Sequence, residues 1–444
     1  MTSTSINMFR FIYSIVWQII EVFLPFAGLF SKKIRTGNFG RGKTISSLKK
    51  WRNSIPEDAD VIWFHCASLG EFEQGRPVME ALKKRHSNSV VVLTFFSPSG
   101  HEVRNNYSGA DWIGYLPLDT FFNAQKFVKI LRPEQAFFVK YEFWMNYFLQ
   151  LKKNKTKLFC ISVILREEQR FFKWHGFVWK PMLKAVTHFF VQNESTLQLL
   201  NKIKFFNVEM SGDTRFDRVI EIAKSPVELP WISSFKKNDF LVVLGSSYTE
   251  EESLIEMLLS RIPDIKVCVV PHEIHATRIQ ESLTRFEKFG AVLLSSFQPE
   301  KNIEARVLIV DSIGMLSSIY AEANAAVLGG GFGKGLHNSL EIAVYGVPMA
   351  FGPNYKKFQE AVDLVQLGAA FPLENLGELS SFIEHSRYEN SIPNDGKKYV
   401  EEHAGATSAI LKGIEKYSAE VAYLCLSNFH YERQKNHLFH GGCK

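Results

Sequence analysis

The feature that most constrains this chain is an alternation that occurs twice. Short apolar runs rich in Val, Ile and Phe, such as "DVIWFHCAS" (60–68) and "SVVVLTFFS" (89–97), are separated by stretches of helical length such as 72–86 and 121–131. Near-continuous apolar runs of this size suit parallel strands covered on both faces. The first set continues through "WIGYLPL" (112–118), "QAFFVKY" (135–141), "KLFCISVIL" (157–165) and "HFFVQN" (188–193). The polar, proline-punctuated "AKSPVELPWISSFKKND" (223–239) reads as a linker. The pattern then restarts with "FLVVLGSS" (240–247), "IKVCVVPH" (265–272), "AVLLSSF" (291–297), "RVLIVDS" (306–312), "AAVLGGGF" (325–332) and "VPMAFGP" (347–353). Two tandem sets predict an α/β protein with two Rossmann-like, doubly wound domains facing a cleft. A length of 444 residues agrees with two cores. The expected divisions are an N-terminal segment 1–31, a first domain 32–222, a second domain 223–396, and a helical segment with a frayed tail, 397–444.

Ahead of the first strand lies "FRFIYSIVWQIIEVFLPFAGLF" (9–30), about as long as a bilayer core requires but interrupted by Gln18, Glu21 and Pro25. Lys32, Lys33, Arg35, Arg41, Lys43, Lys49, Lys50 and Arg52 follow without an intervening acid. Three readings stay open for the apolar segment: a single span with the body on the cytoplasmic side, an interfacial helix, or a buried helix at the domain edge. Membrane contact is favoured, because basic residues beside an apolar anchor attract anionic lipid. No small-residue cleavage site follows, which argues against a signal peptide. A net charge of +6 without a recognisable nucleic-acid module argues against nucleic-acid binding. Cys66, Cys160, Cys268, Cys425 and Cys443 are scattered, with no metal-ligand spacing, so no metal is expected and reduced thiols are the simplest account.

The strongest local motif is "AAVLGGGFGKGLHNSLEIAVYGVPMAFGP" (325–353), a strand running into glycines with a helix opening near His337 and Asn338. Glycines let the backbone approach a ligand, and a helix start offers N–H groups to an anion, so a phosphate is expected there. The bland alternative is a glycine turn that serves packing alone. "VVPHEIHATR" (269–278) and "VDSIGML" (310–316) leave strand ends that would border the same pocket. In the first half the polar strand-end groups are Glu71, Glu142, Arg166 and Arg215. Glu71 reads either as a base facing a cleft or as a helix-capping acid, and nearby Glu73 competes for both roles.

"ASLGEFEQGRPVMEAL", "VKYEFW", "SGDTRFD", "VDSIGML" and "GGGFGKGLHNSLEIAVYGVPMAFGP" occur in the order seen in the Kdo (3-deoxy-D-manno-octulosonic acid) transferases of lipopolysaccharide synthesis, which the chain resembles over about residues 30 to 410. The resemblance implies the GT-B glycosyltransferase fold with an N-terminal membrane anchor. It also implies an inverting transfer of Kdo from CMP-Kdo to the lipid A precursor, lipid IVA, at the cytoplasmic face of the bacterial inner membrane, with no cofactor. By the same resemblance Glu71 is the general base, and Glu142 and Arg215 stabilise the transition state. Pro271, His272, Ile313, Gly314, Met315, Asn338, Ser339, Leu340 and Glu341 would contact CMP. The chain departs from the pattern where Arg215 replaces the usual lysine and where Pro271-His272-Glu273 replaces Pro-Arg-His. A GT-B transferase using a UDP-sugar and a lipid-linked acceptor is the nearest alternative. A non-catalytic, membrane-bound nucleotide-binding protein is the other.

Overall fold

The computed structural model describes residues 3–333, 335–388 and 395–417. The chain divides into two compact units, one built from residues up to Asp217 together with those from Gly405 onward, the other from Arg218–Ala404.

The first unit is a seven-stranded, all-parallel sheet of β1 (Val61–Cys66), β2 (Val90–Phe95), β3 (Trp112–Tyr115), β4 (Gln135–Val139), β5 (Lys157–Val163), β6 (His188–Val191) and β7 (Val208–Met210). Their order is β3-β2-β1-β4-β5-β6-β7. The chain therefore reverses direction across the sheet between β1 and β4, which is where doubly wound sheets open a crevice. Phenylalanines on adjacent strands form a ladder: Phe64 stacks on Phe137 at 4.6 Å, and Phe137 on Phe159 at 5.2 Å. Each such buried ring is worth about 1.5–3 kcal/mol. On the other face Trp63 packs against Phe127, Phe138 and Tyr147. Residues 406–417 are helical and return Ile410, Leu411 and Ile414 to the core around Phe159 and Phe190. Asp217 caps that return, accepting hydrogen bonds from the N–H groups of Gly405 and Thr407.

Helices of the first unit that matter below are α1 (Ser3–Phe30), α2 (Lys32–Arg52), α3 (Leu69–Arg85), α4 (Pro98–Arg104), α5 (Phe121–Leu131) and α6 (Met145–Lys153). α1 is long and apolar enough to cross a membrane, yet one face of it is tied to the unit. Phe9 and Tyr13 pack on Trp179, Trp17 packs on Trp144, and Tyr13 donates its hydroxyl to Asp119 at 2.7 Å. Spacing of four residues puts Phe9, Tyr13 and Trp17 on one stripe. The remaining surface exposes Phe11, Ile19, Phe23, Phe26 and Phe30, the last at 91%. Two of the basic residues of α2 are committed inward. Arg41 lies over the Phe96 ring at 4.4 Å, and Arg52 caps the carbonyls of Pro56 and Glu57. Lys32, Lys33, Arg35, Lys43, Lys49 and Lys50 stay exposed.

The second unit repeats the parallel plan with β8 (Phe240–Ser247), β9 (Ile265–Pro271), β10 (Val292–Leu293), β11 (Val307–Ile309), β12 (Ala325–Leu328), β13 (Met349–Phe351) and β14 (Ala370–Pro372), ordered β10-β11-β9-β8-β12-β13-β14. The crevice position here is between β8 and β12.

Several local expectations are corrected. The 223–239 stretch contains a helix, Pro230–Lys236, whose Ile232 and Phe235 are buried. "AVLLSSF" forms only a two-residue strand before a 3-10 turn, Leu294–Ser296. The helix after the glycines is a single turn, Leu340–Ala343, beginning later than the His337–Asn338 start. Cys66, Cys160 and Cys268 are buried free thiols, whereas Cys425, Cys443 and the expected frayed tail lie outside the described residues.

Candidate functional site

In the first unit, two of the three expected catalytic side chains stand at the crevice position. Glu71 follows β1 as the third residue of α3, and Glu142 follows β4 by three residues. Ser68 at the N-cap of α3 does not use its hydroxyl to cap the helix; it donates to Glu71 Oε2 instead. Lys140 Nζ lies 4.0 Å from Glu71 Oε1. Among the described residues, the Glu71 carboxylate thus meets the hydroxyl of its own helix's N-cap residue and an ammonium. Lys140 has φ +70, a left-handed backbone that costs a non-glycine residue about 1 kcal/mol, and its N–H is held by the Ile161 carbonyl. That strained turn directs the chain after β4 toward Glu142.

Glu142 receives the Trp144 indole N–H at 3.0 Å, and its Oε2 lies 3.8 Å from Nε2 of the fully buried His65. Glu73, the competitor for the base role, is paired with Arg104 at 2.7 Å. Arg215 sits beyond β7 in the helix Thr214–Lys224, with Nε 2.8 Å from Asp213 Oδ2. Asp213 also accepts from Gln74 Nε2 at 3.2 Å, and the Thr214 hydroxyl donates to the Gln74 carbonyl at 2.6 Å. Gln74 is on α3 close after Glu71, so the arginine is positioned from the same helix as the acid. Burial, with Glu71 and Glu142 nearby, pushes the Cys66 thiol well above its ordinary range, which makes it inert. Arg166 leaves β5 and turns its N–H to Gln169 Oε1.

In the second unit the expected CMP-contact residues all lie at or beyond strand C-termini. Pro271 ends β9 and His272 follows it; Ile313, Gly314 and Met315 follow β11; Asn338 to Glu341 follow β12. Ile313 is 70% exposed, and Gly314 has φ +96 with open space where a Cβ would point. Asn338 Nδ2 donates to Glu341 Oε1 at 3.1 Å, while Asn338 Oδ1 and Ser339 Oγ are buried without hydrogen-bond partners. Gly330 has φ +90, and a Cβ there would lie 2.2 Å from the Gly335 carbonyl oxygen. A Cβ on Gly331 would strike the backbone of Gly352. These glycines serve close backbone packing, whereas Gly333 faces open space.

Tyr248 and Glu251 escaped the sequence reading here. Tyr248, His272 and His337 form an aromatic cluster, with the two imidazoles 4.5 Å apart and His337 Nε2 3.2 Å from the Tyr248 hydroxyl. Burial, aided by His272, lowers His337 to about 4. Glu251 Oε1 accepts from the Gly330 N–H at 2.9 Å and Oε2 from the Tyr248 N–H at 3.0 Å. One carboxylate therefore fixes both the glycine turn and the start of the helix Thr249–Arg261. Burial raises the Glu251 carboxyl against those N–H bonds.

Residues 38–218 match the family described as 3-Deoxy-D-manno-octulosonic-acid transferase (kdotransferase). Similar proteins named 3-deoxy-D-manno-octulosonic acid transferase include one from Aquifex aeolicus, 26% identical over 74% of this chain and 86% of the relative. Another, from Haemophilus influenzae, is 22% identical over 92% of this chain and 99% of the relative. Among solved structures, a putative UDP-N-acetylglucosamine 2-epimerase from Listeria monocytogenes is 11% identical, with TM-score 0.56 over 82% of this chain and 97% of that one. A UDP-GlcNAc 2-epimerase from Neisseria meningitidis is 14% identical, with TM-score 0.53 over 80% and 100%. These likenesses are of fold, and they agree with the two Rossmann-like units of the GT-B class. With the motifs in order, the family model matching residues 38–218 and relatives of that name matching along most of its length, this chain is similar to the Kdo transferases, a family of glycosyltransferases.

Proposed function

We propose that the chain is an inverting transferase that moves Kdo from CMP-Kdo to the phosphorylated lipid A precursor, lipid IVA, at the cytoplasmic face of the bacterial inner membrane. One observation carries this reading. Glu71 stands beyond the central strand with its carboxylate bonded to Ser68 Oγ and facing Lys140, not bound to its own helix's N–H groups. A carboxylate so held is a competent proton acceptor. As the acceptor hydroxyl loses its proton to Glu71, its oxygen bonds to the anomeric carbon of Kdo. The bond from that carbon to the phosphate oxygen breaks, and its electron pair leaves on CMP. A single displacement of this kind inverts the anomeric centre.

Glu142 stabilises the positive charge that grows on the anomeric carbon, and Arg215, clamped by Asp213, supplies fixed positive charge. His272 and the 313–315 turn meet the cytidylate phosphate, and Asn338 to Glu341 hold the nucleoside. The mechanism calls on no cofactor or metal. α1 lies in the headgroup layer with its docked stripe toward the protein, and the exposed lysines of α2 meet anionic headgroups. A Glu71→Gln enzyme that binds CMP but forms no product, judged by the product's mass, supports the assignment; normal transfer by that variant removes Glu71 as the base. Stabilisation by UDP in place of CMP would favour the UDP-sugar reading. CMP binding without turnover on any Kdo acceptor would favour the non-catalytic one.

A further inference from the structure

α1 carries two charged side chains, Arg10 and Glu21, in an otherwise apolar helix. Glu21 is satisfied by Asn123 Nδ2 at 2.7 Å. Arg10 is not matched in that way: its Nε is buried without a hydrogen-bond partner, and among the described residues no carboxylate pairs with it. Arg10 is half-buried, so its guanidinium, with no carboxylate beside it, remains available to an anion from outside the chain. Arg10 lines a groove of about 410 Å³ between α1 and the starts of α5 and α6. Asn7, Ser14, Gln18 and Asn146 add polar groups to its wall, and Phe11, Ile15, Phe121 and Phe122 give it an apolar strip. The first turn of α5 adds partial positive charge to the same border. Asp119, the buried acid behind this border, is taken up by the Tyr13 hydroxyl and by the N–H groups of Asn146 and Tyr147.

The geometry points to a discrete lipid site: one anionic lipid molecule, its phosphate on Arg10 and an acyl chain along Phe11, Ile15, Phe121 and Phe122. It rests on the interfacial reading of α1 and goes beyond it, because general adsorption needs no shaped groove and no single arginine. The site would hold the protein's long axis of α1 in a set register against one lipid, where the free lysines of α2 only attract the surface as a whole.

Native mass spectrometry of the full chain in detergent tests this, with dioleoyl phosphatidylglycerol or dioleoyl phosphatidylcholine added, alongside flotation with neutral vesicles. The expected result is one retained phosphatidylglycerol per chain and weaker binding of phosphatidylcholine. Arg10→Gln lowers phosphatidylglycerol affinity about fivefold, the equivalent of ~1 kcal/mol for one basic group. Arg10→Lys restores most of it, and both variants still float with neutral vesicles. Equal binding of the two lipids, unchanged affinity in Arg10→Gln, or full displacement of the lipid by inorganic phosphate would overturn the site while leaving interfacial anchoring intact. Failure of the wild-type chain to float with any vesicles would overturn both.

Discussion

Glu71 and Glu251 hold matching places in the two units: each is the third residue of the helix that follows the unit's first strand, β1 in one and β8 in the other. Their partners differ. Both oxygens of Glu251 are consumed by backbone N–H groups, one at its own N-cap and one in the glycine turn. Glu71 instead meets side-chain groups, the hydroxyl of its N-cap residue Ser68 and the ammonium of Lys140. The same residue type at the same helical position is structural in one unit and chemically available in the other. What decides is whether a backbone donor or a side chain is aimed at it.

The largest expected effect tests the available acid. Glu71→Gln should lower transfer by roughly 10²–10⁴-fold in a product assay, the range supplied by a positioned base, while CMP still raises Tm. Lys140→Met should reproduce part of that loss. An equal loss of CMP binding in either variant would erase the contrast between the units.

Next comes the structural acid and its turn. Gly330→Val places a side chain on a φ of +90 and against the Gly335 carbonyl. It should cost several kcal/mol, about 3 or more, read as a fall in Tm together with the CMP-induced shift. Glu251→Gln, which replaces one acceptor oxygen by a donor, should be milder but in the same direction.

Smaller effects follow from pH. Burial raises Asp119 to about 7 despite the hydrogen bond from Tyr13. A raised carboxyl favours the folded state most below the unfolded value near 4, and that contribution is lost as pH climbs through 7. Asp119→Asn should therefore flatten the fall in stability between about pH 4 and 7, by on the order of a few kcal/mol at most. His337, lowered to about 4, has the opposite sense: stability present above the unfolded value near 6.5 is lost as pH falls toward 4. His337→Asn should remove that acid-side loss, an effect confined to the second unit.

Most of the sheet was legible because its strands are apolar on both faces and bounded by polar turns. β7 escaped because "VEM" is a three-residue edge strand whose Glu209 and Met210 are exposed, which leaves no apolar run to read. β14 is equally short and ends on Pro372. Glu71, Glu142 and Arg215 were singled out by resemblance to family motifs; the groups that hold them in place were not legible. Gln74 reaches Asp213 across 139 positions of sequence, a pairing that no local pattern encodes. Glu251 lies in the run Glu250-Glu251-Glu252, and nothing in that run marks the middle carboxylate as the one that holds Gly330. The glycine motif pointed to a helix N-terminus for the phosphate, but the helix is one turn long. Close packing of Gly330 and Gly331 explains much of its composition.

The return of the chain at Gly405 has a consequence for biosynthesis. Ile410, Leu411 and Ile414 belong to the same core as Phe159 and Phe190, though a whole unit is translated between them. On the ribosome the amino-terminal sheet must wait with one hydrophobic flank uncovered until the last segment emerges, while the second unit, contiguous in sequence, folds as soon as it is complete. Nascent chains stalled before codon 405 should present that uncovered flank to chaperones, and release of the helix at 406–417 is the step that closes it.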